Sequence, residues 1–339
     1  MNKKRVLAML LAGAMALSMT ACGGGSASSG DDRSNDGGAS ASGGSYKVSV
    51  ILKTLAAEYW QYVKSGAEDY ASEHSDKVTV EVKGPSSETA FDEMQNMIET
   101  DLSSGSYDGV IISPLQSDTA AQLVSGTKLP IVAIDTNFTA PEVKSFVGTG
   151  NEAAAKKGGE AAVEAAKAAG WTDIKCIEIA GVQGDQTNTA RMNGYKAGVE
   201  EAGGTFLSDE VQYADATADR ATTAMEAIMQ THPEGIAIIC ANNDDMAMAA
   251  ARAAQGHDAY KNTIFLGFNG DRAACEAILA GQMTMSVAQM AYEMGYKAVE
   301  TMVQVLDGET VDEFVDSGSD VVTPDNAQER LDTLKTQLH

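Results

Sequence analysis

The hydrophobic positions of the chain come in short blocks whose period changes repeatedly. "KVSVIL" (47–52) reads as a strand and 59–72 as a helix. "VTVEV" (78–82) is a predicted strand and 88–103 a helix; "GVIIS" (109–113) is a strand, 118–125 a short helix and "PIVAI" (130–134) a strand. After 145–150 the series restarts with an Ala-rich helix at 152–169 and the strand "IKCIEIA" (174–180). A helix at 188–202, a strand at 205–211 and a helix at 218–230 follow. "IAIICANNDDMAMAA" (236–250) then joins a strand, a polar turn and a helix in one run. Beyond it come "TIFLGF" (263–268), a helix at 271–280, "MTMSVA" (283–288) and a helix at 290–306. Strand-like pieces at 311–315 and 319–322 precede a polar tail. Apolar runs followed at once by helix chemistry mark parallel strands buried on both faces. Alternating βα units of this spacing imply parallel sheets with right-handed crossovers, here in two similar halves.

Several of these strands end in a polar residue. Asp135 follows "PIVAI", Asn243 follows "IAIICAN", Asn269 follows "TIFLGF" and Gln289 follows "MTMSVA". Open α/β sheets bind ligands at the carboxyl ends of their strands, so four such groups would converge on one crevice. Asn243 has a second reading, as the cap of the helix that begins there, with Asp244 and Asp245 as acids in its first turn. Arg191 lies about three residues into a helix that Asn188 could cap. A cation there opposes the helix dipole, so Arg191 is either a surface residue or a guanidinium held at the cleft. Tyr59 and Trp60 sit just past the first strand end. They read either as core aromatics of a helix or as flat groups for the C–H face of a sugar ring.

Composition narrows the classes. The chain has 339 residues and 44% hydrophobic content, enough for about two domains with sizeable cores. Its net charge of −24 argues against a nucleic-acid partner, because that affinity comes from neutralising phosphates. Residues 1–22 combine a basic start (Lys3, Lys4, Arg5), an apolar stretch at 6–19 and small residues before Cys22, the pattern of an export signal. "MTAC" resembles a bacterial lipobox, with Met19 where Leu is usual, which implies cleavage before Cys22 and a lipid on its thiol; an ordinary secretory cleavage is the alternative. Residues 23–45 are mostly Gly, Ser, Ala and Asp, too poor in apolar groups to pack, and read as a flexible tether. Cys176 and Cys240 fall in strands and Cys275 in a helix, with no CxxC pair; no metal site is expected, and buried free thiols are expected, with a disulfide between two of them in an exported chain as the alternative. The four histidines (His74, His232, His257, His339) lie in polar, loop-like surroundings without HExxH spacing. No GxxxxGK motif is present and "GTGNEA" (148–153) is not a GxGxxG, so no nucleotide cofactor is expected; there is no GxSxG nucleophile elbow either.

From 46 to about 323 the chain resembles the type 1 periplasmic sugar-binding proteins of the ribose/allose/galactose group. The pieces that carry the likeness are "VILKTLAAEYW", "YDGVIISPLQSD", "PIVAID", "TARMNGY", "IICANNDDMAM", "FLGFNG" and "GQMTMSVAQ", in the family's order. The resemblance implies that Asp135 and Arg191 clamp adjacent ring hydroxyls, that Asn243, Asn269 and Gln289 take part in the site, and that Tyr59 and Trp60 sandwich the ring. Lys53 matches a lysine that the allose-type branch places near the sugar. Three positions depart: Asn269 stands where Asp is usual, Ala57 where Asn is usual and Ala216 where a third aromatic is usual. The departures leave more room and fewer hydroxyl partners, and imply a ligand other than plain ribose or allose. The tail past 324 exceeds the family's usual end.

The resemblance implies an α/β architecture of two Rossmann-like lobes with parallel sheets joined by a three-stranded hinge, periplasmic-binding-protein-like class I. The lobes would be 46–149 plus 290–318 and 150–289 plus 319–339. It further implies no enzyme and no cofactor. The protein would be an extracytoplasmic monomer, held at the membrane through a lipid anchor only, that delivers a sugar or sugar-like ligand to an ABC permease. A sensor that presents bound ligand to a membrane receptor is the alternative. A secreted enzyme would need an acid/base pair such as Asp135 with Asp244 or Asp245.

Overall fold

A computed structural model describes residues 45–338, so the expected signal segment, Cys22 and the tether up to residue 44 lie outside the described residues, as does His339. The first run of elements is β1 (Tyr46–Ile51), α1 (Glu58–Glu73), β2 (Val78–Lys83), α2 (Phe91–Ser104), β3 (Gly109–Ile112), α3 (Ser117–Val124), β4 (Ile131–Ile134) and β5 (Val143–Gly148). The second is α4 (Asn151–Ala168), β6 (Lys175–Ala180), α5 (Gln186–Glu201), β7 (Thr205–Phe206), β8 (Gln212–Tyr213), α6 (Ala218–Thr231), β9 (Ile238–Ala241), α7 (Asp244–Ala254), β10 (Ile264–Asn269), α8 (Arg272–Leu279) and β11 (Met285–Gln289). Then come α9 (Ala291–Leu306), β12 (Phe314–Asp316), β13 (Ser319–Val322) and α10 (Ala327–Gln337).

These strands form two sheets, one in each Rossmann-like lobe. One has the order β12-β5-β4-β3-β1-β2, with every pair parallel. The other runs β13-β11-β10-β9-β6-β7, with β8 also paired to β6; only β13 is antiparallel to its neighbour. The chain passes between the sheets after β5, after β11 and between β12 and β13. Val110, Ile111, Ile112, Ile131, Val132, Ala133 and Ile134 are all fully buried, as a parallel strand covered on both faces requires.

Close helix packing sets up the site. A Cβ on Gly295 of α9 would overlap the Val63 carbonyl of α1, so the two backbones nearly touch, and Tyr59 reaches Met294 with its hydroxyl 3.7 Å from the sulfur. In the other lobe a Cβ on Gly194 of α5 would overlap the Glu152 carbonyl of α4. That approach brings Asn151 beside Arg191.

Three readings of the pattern need correction. β5 is a full strand at 143–148 where the pattern shows only a restart, because Lys144 and Ser145 interrupt its apolar run. The strand expected at 205–211 is two short strands around a 3-10 turn at Ser208–Glu210, whose polar residues break the ladder. The polar tail is an eleven-residue helix, α10. Its Ala327, Leu331 and Leu334 follow the i, i+4, i+7 spacing of one buried helix face and are 0%, 6% and 1% exposed.

Cys176, Cys240 and Cys275 are free and buried, the first two with sulfurs 3.4 Å apart on β6 and β9. His232 differs from a plain surface histidine: its Nε2 lies 2.5 Å from a Glu210 carboxylate oxygen.

Candidate functional site

Residues at or just past the carboxyl ends of β1, β4, β6, β9, β10 and β11 line one cleft of about 570 Å³ between the lobes. Lys53, Tyr59, Trp60, Asp135, Arg191, Asn243, Asn269 and Gln289 all line it, and so do Ala57 and Ala216.

On the first wall Asp135 turns out of β4 with φ 63°, a left-handed conformation that Asp tolerates better than most residues. Its Oδ1 accepts from the Tyr59 hydroxyl at 2.8 Å and its Oδ2 from Thr136 Oγ1 at 2.9 Å. Burial, and then the Asp135 charge, push the Tyr59 phenol well above its usual range, so it stays neutral and donates. Trp60 Nε1 donates to Glu88 Oε1 at 2.8 Å. The Tyr59 and Trp60 rings meet edge-on, with centroids 5.0 Å apart at 83°. A sandwich needs two parallel faces with space between them, so this pair does not form one.

On the second wall Arg191 is 7% exposed, which rules out a surface role. Its Nε donates to Asn151 Oδ1 and its Nη1 to the Asn242 carbonyl, both at 2.8 Å, and the guanidinium lies 3.9 Å from the centroid of the Phe268 ring. Asp185, not Asn188, caps α5: its carboxylate accepts from the Asn188 N–H at 2.7 Å. The Asn188 side chain instead accepts from Gly181 N. With α5 starting at Gln186, Arg191 lies beyond the first turn, and the expected clash with the dipole does not arise.

Asn243 does cap α7, accepting from Met246 N at 2.9 Å, while its Nδ2 donates to the Ala216 carbonyl. Asn269, with φ 136°, accepts from Gln289 Nε2 at 3.0 Å. Gln289 is 1% exposed, and among the described residues its Oε1 has no hydrogen-bond partner. Behind this wall Glu178 is fully buried and accepts from Asn242 Nδ2 at 2.8 Å. Burial pushes its carboxyl up to about 8, against the lowering effects of Asn242 and Arg191.

Among the described residues three polar side-chain contacts span the cleft. Lys53 Nζ lies 3.2 Å from Asp185 Oδ2, Thr136 Oγ1 lies 3.1 Å from Thr187 Oγ1, and Arg272 Nε lies 3.0 Å from Glu58 Oε1. Burial works to lower the Lys53 pKa, but the carboxylates of Asp185, Asp135 and Glu88 outweigh it and hold the pKa above its ordinary value. Burial likewise works to raise Asp185, and Lys53, the Asn188 N–H and Arg191 leave it lowered. Lys53 and Arg191 share the lining with Glu58, Glu88, Asp135, Asp185, Asp215, Asp245 and Asp271, an excess of negative charge that disfavours an anionic ligand.

Asp244 points elsewhere. It is fully buried and accepts from Gly270 N, Asp271 N and the Ser286 hydroxyl, so it does not form a cleft pair with Asp135. Sequence reasoning missed Glu88, Asp185, Asn151, Asn242 and Glu178. Asp185 had a visible signal, an Asp three residues before an Asn at a helix start; the others are defined by partners far along the chain. Among the described residues no group of three or more His, Cys, Asp or Glu side chains could hold a metal ion.

Residues 48–310 match the family model described as a periplasmic binding protein domain. The D-allose-binding periplasmic protein of Escherichia coli (strain K12) is 30% identical over 267 residues, 76% of this chain and 83% of that protein. The ribose import binding protein of the same strain is 27% identical over 268 residues, 78% of this chain and 86% of the other. A crystal structure of an ABC transporter solute binding protein from Agrobacterium vitis with bound D-fucose shares the fold, with a TM-score of 0.74 at 24% identity over 86% of this chain and 100% of that one.

Proposed function

The chain belongs to the periplasmic binding protein family, and from that premise we propose that it captures a neutral sugar or sugar-like ligand between its lobes and delivers it to an ABC permease. The observation that carries this reading is the Gln289 carboxamide. Its Nε2 is held by Asn269, while its Oε1, in the buried wall of the cleft, lacks a partner among the described residues. Leaving such an acceptor unsatisfied costs about 1–3 kcal/mol, and a ligand hydroxyl would remove that cost. Arg191 and Lys53 offer donors nearby and Asp135 offers acceptors; a hydroxyl suits both because it donates and accepts. Names of relatives point the same way, toward D-allose and ribose.

The finer assignments belong to the same proposal. Asp135, Arg191, Asn243, Asn269, Gln289 and Lys53 bind ring hydroxyls, and Tyr59 and Trp60 offer apolar surface to the ring. The lobes, 46–149 plus 290–318 and 150–289 plus 319–339, close about the three crossings. With Asn at 269 and Ala at 57 and 216, the ligand is a substituted or larger sugar, a polyol or a short glycoside. The protein works outside the cytoplasm as a monomer, anchored through lipid on Cys22. A thermal-shift screen of monosaccharides, polyols and modified sugars tests the reading, because a ligand that binds only the folded state raises the melting temperature. At least one compound should shift it in a dose-dependent way; a screen in which none does would refute the reading.

A further inference from the structure

We propose that Arg330 on α10 is a positioning residue that braces the backbone carrying Asn269 and Gln289, which makes the C-terminal helix part of the binding site. The proposal rests on the reading above that the cleft binds a sugar-like ligand. The matched family domain ends at residue 310, so α10 lies beyond it.

Arg330 uses its planar fork on two backbone turns at once. Nη2 donates to the Gln289 carbonyl at 2.7 Å, Nε donates to the Gly270 carbonyl at 3.1 Å, and Nη1 lies 3.2 Å from Met290 Sδ. These acceptors sit at the ends of β10 and β11, neighbouring strands of one sheet. Beyond its last ladder bond a strand end has nothing of its own to hold its carbonyl. A guanidinium can tie two such carbonyls together; an ammonium lacks the paired geometry.

The turn that Arg330 holds is an unusual one. Asn269 and Gly270 have φ of 136° and 62°, two successive residues in the region that favours glycine. Such backbone persists only where its surroundings over-determine it. Here the Gly270 residue is gripped at both ends: its N–H donates to Asp244 Oδ2 at 2.7 Å and to Ser286 Oγ at 3.0 Å, and its carbonyl accepts from Arg330. The grip sets the direction of the Asn269 side chain, and so the Asn269–Gln289 contact that leaves Gln289 Oε1 unpartnered. Met290 lies at one of the crossings between the lobes, so the fork also abuts a point about which they would turn. Burial of Ala327, Leu331 and Leu334 seats the helix. Among the described residues Arg330 makes no salt bridge; Nε and Nη2 go to the backbone of the site and Nη1 to the Met290 sulfur.

The test compares the full chain with Arg330→Ala by amide hydrogen exchange without ligand and by calorimetry with a sugar found in the screen. The Gly270 and Asp271 amides should exchange roughly tenfold faster or more, with the central strands β9 and β6 unchanged. Affinity should fall roughly tenfold, the equivalent of one charged hydrogen bond. If Arg330→Ala does not fold, Arg330→Lys keeps the charge, loses the fork and should show the same two losses. A folded variant that binds within twofold of wild type, or whose Gly270 and Asp271 amides exchange as before, overturns the proposal. Exchange needs no ligand, so a wild-type chain that binds no sugar refutes the functional reading while the brace is still decided by those two amides.

Discussion

Lys53 Nζ lies 3.2 Å from Asp185 Oδ2, and the two residues belong to opposite walls of the cleft. Lys53 follows β1 in one lobe, and Asp185 caps α5 in the other. Their side chains are 11% and 13% exposed, so water screens the pair only partly. One contact therefore ties the lobes together and holds a candidate ligand donor in place.

Asp185→Asn isolates the charge in that contact, since Asn caps a helix about as well as Asp. The variant should lose about 1–2 kcal/mol of stability in denaturant unfolding. The difference from wild type also has a defined pH window. Lys53 is raised above 10.5 when folded, so its contribution is complete below that value and is lost as pH rises through the folded pKa. Asp185 is lowered below 3.8, so its share is present above that value and is lost as pH falls through the folded pKa. A difference that varies between about pH 5 and pH 9 would count against the pair.

Arg191→Ala should cost stability as well as affinity. The side chain bonds Asn151 and the Asn242 carbonyl and covers Phe268, so truncation strands two buried acceptors at about 2–4 kcal/mol. Ligand affinity should weaken by about 1.5–3 kcal/mol in calorimetry on folded protein. If stability drops while affinity stays within twofold, Arg191 only supports the wall.

Glu178→Gln should change how stability depends on pH. In the wild type the folded carboxyl titrates near 8 rather than 4.5. Between those values the unfolded chain has released a proton that the folded chain retains, so Glu178 makes stability fall as pH rises. Gln keeps an acceptor for Asn242 and has no proton to lose. Relative to wild type the variant should gain about 2–4 kcal/mol between pH 5 and pH 8. Parallel stability curves for the two proteins would show that Glu178 is ionised in the fold.

Asn269→Asp should move preference toward simple aldoses, because a carboxylate only accepts and selects hydroxyl donors. It can still accept from Gln289 Nε2. Adding a ring through Ala216→Trp is less direct than the sequence implies. Ala216 has φ 58°, where a bulky residue is a backbone outlier. The ratio of ribose or allose affinity to that of the best ligand from the screen, measured for wild type and Asn269→Asp, decides the matter. A ratio that does not rise contradicts the assigned role of Asn269.

Cys22→Ala should release the protein from the membrane or leave its precursor uncleaved. Fractionation of expressing cells followed by mass measurement reads this out, and unchanged membrane association with normal cleavage would exclude the lipid anchor.

The local hydrophobic pattern alone determined the two parallel-sheet halves, because strands buried on both faces must be written as apolar runs. It also marked Asp135, Asn243, Asn269 and Gln289, since the polar residue that ends such a run is visible without knowing what it meets. α10 was legible in the spacing of Ala327, Leu331 and Leu334, but its short polar context hid the signal. What tertiary structure decided is which of these groups act together. The Lys53–Asp185 pair is separated by 132 residues, Trp60 and Glu88 by 28, and Arg330 and Gly270 by 60. Nothing in the composition around either partner names the other. The perpendicular Tyr59 and Trp60 rings, the Arg191 guanidinium over Phe268 and the orphaned Gln289 oxygen likewise depend on how α1 packs on α9 and α5 on α4. Side-chain direction at a cleft is set by backbones meeting from both lobes, and that information is not local to any stretch of the chain.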